Sequence, residues 1–115
     1  MTDYLHVLLP LISGALFFMT GYYIKKNPPK DINGAVGYKT PASMKSQKHW
    51  DFAQQVSADK IKSASIFMML TALPLYFFNQ GSTINIIVAI VIVLFITILP
   101  IIQTESAINE KFGDS

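Results

Sequence analysis

The chain has 115 residues, nine lysines and no arginine, a formal net charge of +2, and an amino-acid content that is half hydrophobic. It has no cysteine, which excludes disulfides and thiolate metal sites, and its length is that of one domain. The apolar residues are gathered into runs long enough to cross a bilayer, an arrangement at odds with a soluble core.

The first run, Tyr4 to Ile24, holds 21 residues without a formal charge. At about 1.5 Å per residue it spans roughly 30 Å, the thickness of a bilayer's hydrocarbon. It lacks the basic leading region and the small-residue cleavage site of a secretory signal. Thr2 or Asp3 is expected to cap it, and Pro10 to kink it. Ser13, Gly14, Thr20 and Gly21 share one face, predicting a seam where a second helix approaches closely. His6, alone near the start of the run, reads as a solvated interfacial side chain.

The composition changes abruptly at Lys25-Lys26-Asn27-Pro28-Pro29-Lys30, where consecutive prolines end the helix. Asn33-Gly34 and Gly37 add turn signals. Thr40-Pro41 reads as a helix start, with Thr40 as cap and Pro41 as the first-turn residue whose missing N–H costs nothing there. An amphipathic helix is therefore expected from Pro41 to about Ala58, either continuing into the second span or bending near Ser57 to Lys60 before it, with Met44, Trp50 or His49, Ala53 and Val56 to Ser57 on one face. Two placements are open to it: along the membrane surface with Trp50 and Phe52 in the interface, or folded back over the ends of the spans.

A shorter apolar run, Ser63 to Phe78, becomes a second span of about residues 61–78 if Lys62 lays its stem along the helix and its ammonium among headgroups. Pro74 is expected to bend its far end. Asn79 to Thr83 forms a turn, and Ile84 to Ile102 is a third span of 19 residues. A strand of that length would lie far outside the usual range, so its Ile and Val content does not make it one. Gln103 to Ser115 reads as a short polar tail of little functional weight.

These readings predict an all-α membrane protein, a single integral domain over residues 1–115. Its spans are at about 4–24, 61–78 and 84–102, with a polar loop and amphipathic helix over 25–60. Eight of the nine lysines lie in or beside the segment between the first two spans, and only Lys111 lies elsewhere. The positive-inside rule then sets that segment in the cytoplasm, the N-terminus outside and the C-terminus inside.

Chemistry has little to work with in this chain. The spans hold no carboxylate at depth of the kind that carries coupled charge in a transporter. His49 and Asp51 point to different helix faces, Glu105 and Glu110 have no partner in sequence reach, and no metal-ligand spacing or phosphate-binding loop is found. No cofactor, no catalysis and no direct contact with nucleic acid are expected.

The segment Gly37-Tyr38-Lys39-Thr40-Pro41-Ala42-Ser43-Met44-Lys45-Ser46, followed by Trp50-Asp51-Phe52-Ala53-Gln54, is more specific. It resembles the SdpI/YfhL family of bacterial membrane proteins, in which a Gly-Tyr-Arg-Thr-Pro type motif precedes serines, a Trp and an Ala-Asn pair. Lys39 stands where arginine is usual and Gln54 where asparagine is usual. Lysine keeps the charge and loses the planar fork that arginine offers to bidentate partners. The resemblance implies a non-catalytic immunity protein that protects a cell from a secreted membrane-active toxin, and, for the longer prototype, one that also signals by sequestering a repressor. The residues it marks for binding are Gly37, Tyr38, Lys39, Thr40, Pro41, Ser43, Trp50, Ala53 and Gln54. Implied partners are membrane lipids, a peptide or protein toxin, and a cytoplasmic repressor. The competing class is an accessory or regulatory subunit of a larger membrane complex. Equally open is whether the motif offers a surface to a partner or only seats the loop against the bundle.

Overall fold

A computed structural model describes residues 4–32, 34 and 37–113. Its elements are α1 (Leu5–Lys26), α2 (Gln47–Leu70), α3 (Ala72–Phe77) and α4 (Ser82–Phe112). No strand occurs among the described residues. The bundle is elongated, 49 × 27 × 19 Å, and α4 alone, at 31 residues, is about 46 Å long.

Two helices, α1 and α4, are long and apolar enough to cross a membrane. The expectation of three separate spans is not met in that form. Of the two expected courses the amphipathic helix takes the continuous one: with the start of the second span it forms one element, α2, and Asp59, Lys60 and Lys62 near its middle keep it from qualifying. Helix α2 ends at Thr71, three residues before Pro74. That proline lacks the N–H that would bond to the Leu70 carbonyl, and its ring crowds the same group. The chain resumes as the short α3.

The starts and stops differ from expectation in other places, each for a local reason. No side chain caps α1 at Tyr4, and the proposed caps Thr2 and Asp3, like Asn33 of the expected turn, lie outside the described residues. Helix α1 runs on through Pro10. Residues 41–44 form a turn, and α2 begins only at Gln47, six residues later than expected. The cap is Ser46, extended at φ −159° and ψ 170°, whose hydroxyl accepts from the His49 N–H. Gly81 turns the chain into α4 at φ +98°, in the left-handed region where a Cβ is disfavoured. The polar tail proves to be helix as far as Phe112.

Antiparallel packing of α1 on α2 rests on two glycines. A Cβ on Gly14 would stand 2.9 Å from the Ser65 carbonyl oxygen, and one on Gly21 2.9 Å from that of Ala58. Both pairs are separated by seven residues, two helical turns, so the backbones approach in register. The predicted seam therefore lies within the bundle, although Thr20 faces outward and donates to the Leu16 carbonyl of its own helix. At one end of the pair Lys25 Nζ meets Asp59 Oδ2 at 2.9 Å. At the other the Tyr4 and Tyr76 rings stack with centroids 6.4 Å apart. The stretch from Asp59 to Tyr76 thus follows α1 along almost its whole length.

The packing is inside-out by the standard of a soluble protein. Buried positions include Gly14, Gly21, Ser57, Ala58, Ser65, Ala72, Asn85, Ala89 and Thr104. Leu16, Met19, Phe67, Leu73, Phe77, Leu94, Phe95 and Ile102 are exposed. Soluble monomers rarely expose contiguous apolar surface on that scale, whereas small and weakly polar residues are the usual contacts between helices in lipid.

Candidate functional site: the loop joint

The loop between α1 and α2 closes on itself through the motif residues. Gly37, at φ +131°, brings the backbone against Trp50 and Gln54; a Cβ there would meet Gln54 Oε1 at 2.9 Å and the indole ring at 3.0 Å. Fully buried on α2, Gln54 treats Tyr38 as a strand would. Its Oε1 accepts from the Tyr38 N–H at 2.8 Å, and its Nε2 donates to the Tyr38 carbonyl at 2.9 Å. One side-chain amide thereby satisfies both backbone groups of a residue outside regular structure.

Thr40 and Ser43 lock the next turn. The Thr40 N–H donates to Ser43 Oγ at 2.9 Å, and the Ser43 N–H to Thr40 Oγ1 at 3.2 Å. Ser43 Oγ also lies 3.1 Å from the Tyr38 carbonyl and 3.0 Å from that of Thr40. These side-chain bonds compete with the helical ladder, which is why Thr40-Pro41 makes an isolated turn in place of the expected helix start.

Glu105 of α4 ties this turn to the bundle. Its Oε2 accepts from the Tyr38 hydroxyl at 2.6 Å and from the Thr40 hydroxyl at 2.8 Å. Sequence reading missed this partner by treating residues after Ile102 as a tail. The signal was available in the buried series Ile96, Pro100, Thr104 and Ile108, whose spacing of four carries the helical pattern past the apolar run. Burial, then the hydrogen bond and charge of Glu105, raise the Tyr38 phenol well above its ordinary value, with a smaller opposing effect from Thr40. Tyr38 also forms part of the wall of an apolar cavity of about 260 Å³ between α1, α2 and α4, together with Phe17, Ile61, Met68 and Ile96.

Trp50 does not act as an exposed interfacial anchor. It is fully buried, and its indole N–H donates to the Pro29 carbonyl at 2.6 Å. Burying the ring against the loop removes its large apolar surface from water while the N–H keeps a partner. Gln47 Nε2 adds a second tether, to the Lys30 carbonyl at 2.9 Å. The amphipathic segment takes neither placement expected of it: it is the first half of the continuous helix α2 and lies against the end of α4. The Phe52 ring meets that of Phe112 edge-on at 5.7 Å, and His49 stacks on Phe112 at 4.0 Å. Lys111 lies 5.5 Å over the Phe52 ring.

Of the nine motif residues, Gly37, Tyr38, Thr40, Ser43, Trp50, Ala53 and Gln54 are drawn into this joint. Ala53 is fully buried, while Lys39 and Pro41 are exposed. Met44, expected on the packed face, is exposed as well. His6 departs from expectation in the opposite direction: it is only 5% exposed, at the far end of the bundle.

An all-helical bundle with a lipid-compatible exterior, two helices of spanning length and a polar loop sealed onto its helix ends defines an integral membrane protein. The SdpI/YfhL protein family model matches residues 30–102, from the loop into α4 but short of Glu105, and the chain belongs to that family. It is similar to the uncharacterized protein YfhL of Bacillus subtilis (strain 168), at 44% identity over 48 residues. That match covers 42% of this chain and 44% of the relative, so the chain matches less than half of the relative's length. No solved structure matches the chain.

Proposed function

We propose that this chain is a non-catalytic immunity protein that protects a bacterial cell from a secreted, membrane-active toxin. Membership of the SdpI/YfhL family over residues 30–102 is the observation that carries this reading. In this reading the chain crosses the membrane three times: by α1, by the second half of α2 with α3, and by α4. Support for the middle crossing comes from the path of residues 59–76 along α1, from the Lys25–Asp59 ion pair to the Tyr4–Tyr76 stack. The N-terminus then faces outward and the lysine-rich loop lies in the cytoplasm.

The joint holds the cytoplasmic ends of the helices together, and its exposed residues are the ones free to meet something else. Lys39, Pro41 and Met44 lie on that outer side. Signalling through a sequestered repressor would use this face, with Lys39 supplying the charge. Expressing the chain in toxin-sensitive cells is expected to raise survival; unchanged killing at confirmed membrane expression would overturn the reading. Lys39→Ala, at an exposed position, should leave accumulation and unfolding within about 0.5 kcal/mol of the native chain. Trp50→Ala empties a buried site and should cost about 3–5 kcal/mol, lowering the amount of folded protein. Loss of protection in the Lys39 variant at normal abundance would mark the loop face as a contact surface.

A further inference from the structure

The end of the bundle opposite the joint holds a cavity of about 560 Å³ between the start of α1, α3 and the start of α4. The rings of Tyr4, Tyr76 and Phe77 wall one part of it, Tyr76 and Phe77 meeting edge-on at 5.1 Å. His6, Ser82 and Asn85 bring polar atoms to it. Asn85 is already engaged, its Oδ1 accepting from the Gln80 N–H at 2.9 Å. His6 is not: its Nε2 is buried without a hydrogen-bond partner. An imidazole nitrogen left unpaired in a buried position carries a desolvation cost that a ligand relieves.

The second feature is the first turn of α4. Its cap is Gly81, which has no side chain to accept from the leading amides, and no acidic residue lies in that turn. A 31-residue helix therefore presents the positive end of its dipole at a cavity that Ser82 lines. Oxygen acceptors bearing negative charge suit such a position. None of the described lining residues is a lysine, and the chain has no lysine before Lys25. A phosphate group, which favours a cationic side chain, is served less well here than a carboxylate. The aromatic wall beside these donors matches an apolar side chain adjacent to that carboxylate.

We infer that this cavity binds an amphipathic peptide, which sets a carboxylate against His6 and the first-turn amides of α4 and an apolar side chain against Tyr4, Tyr76 and Phe77. The inference rests on the immunity reading for the side from which the peptide arrives, the outer face. It makes the contact with the incoming agent separate from the cytoplasmic joint, with the two ends linked through the three long helices.

The test uses the full chain in zwitterionic phosphatidylcholine nanodiscs, with ¹⁵N-labelled imidazoles and His6 assigned through His49→Gln. The probes are N-acetyl-Leu-Phe as free acid and as amide, and phosphatidylglycerol added to the discs. The free acid should shift the His6 ring resonances saturably, and the amide should bind about fivefold more weakly, as loss of a charge at a helix N-terminus requires. Tyr76→Ala, which also gives up the stack on Tyr4, should weaken the acid in the His6 shift while the chain remains folded. Equal affinity for acid and amide, absence of a saturable shift, or the same shift from phosphatidylglycerol alone would each overturn the proposal. Protection of cells by the native chain without peptide binding would overturn this site and leave the immunity reading standing. Peptide binding without protection would uphold the site and remove its proposed source.

Discussion

Gln54 shows how one residue decides the geometry of the loop. Its amide closes both hydrogen bonds of Tyr38 from inside the bundle, where water is absent to replace them. Gln54→Leu keeps the volume and leaves the Tyr38 N–H without its partner, while the carbonyl still has Ser43 Oγ at 3.1 Å, so thermal unfolding in detergent should show a loss of about 1–3 kcal/mol. Exposed Lys39, one residue from Tyr38, should show almost none. Tyr38 gives a second prediction, in its pH dependence. Its folded-state phenol is raised above the unfolded value, so its contribution is complete below about pH 10 and is lost as pH rises through the higher folded value. Comparing unfolding at pH 8 and pH 11, the native chain should lose more stability than Tyr38→Phe, which has no phenol to ionise. An equal loss in the two proteins would remove the burial of Tyr38 and its Glu105 contact from the account.

At the scale of the element, the α1–α2 pair sets two effects against each other. Gly21→Ala raises helix propensity by about 1 kcal/mol. The added methyl would stand 2.9 Å from the Ala58 carbonyl oxygen, a backbone atom that moves only if the helices part. Overpacking of this kind costs about 1–3 kcal/mol, so the variant should be the less stable one in a denaturation series, and Gly14→Ala should behave alike. A stabilised Gly21→Ala would mean that the helices do not approach as closely as described. The elements also mark how far the sequence could be read. Helices α1 and α4 were visible because unbroken apolar runs leave no other option at that length. The start of α2 was not, because Thr40-Pro41 carries a valid local start signal that loses to side-chain bonds from Ser43 and Glu105. Glu105 lies 65 residues from Thr40, beyond any local pattern. The seven joint residues could be identified as a motif, but their mutual contacts depend on where α4 runs.

For the whole molecule, the distribution of surface is the guide. Many buried positions are small or polar, beside a few large ones such as Trp50, Met68 and Ile96, while most of the large apolar side chains point outward, the distribution of a bundle that packs in lipid. Three crossings and two crossings predict different sides for the turn before α4. The chain has no cysteine of its own, so single cysteines report without background. Ser82→Cys should react with a membrane-impermeant maleimide on intact cells, and Lys45→Cys only after the membrane is opened. Labelling of Lys45→Cys from outside would reverse the orientation, and protection of Ser82→Cys together with Lys45→Cys would remove the middle crossing.

The bond from Glu105 to Tyr38 and Thr40 also has a consequence in time. During synthesis the loop is made first, and its acceptor emerges some 65 residues later, the separation between Thr40 and Glu105. Until then the Tyr38 and Thr40 hydroxyls lack the Glu105 carboxylate, and the loop is held only by its own contacts with Ser43, Trp50 and Gln54. Closure of this contact therefore waits until α4 has been made as far as Glu105.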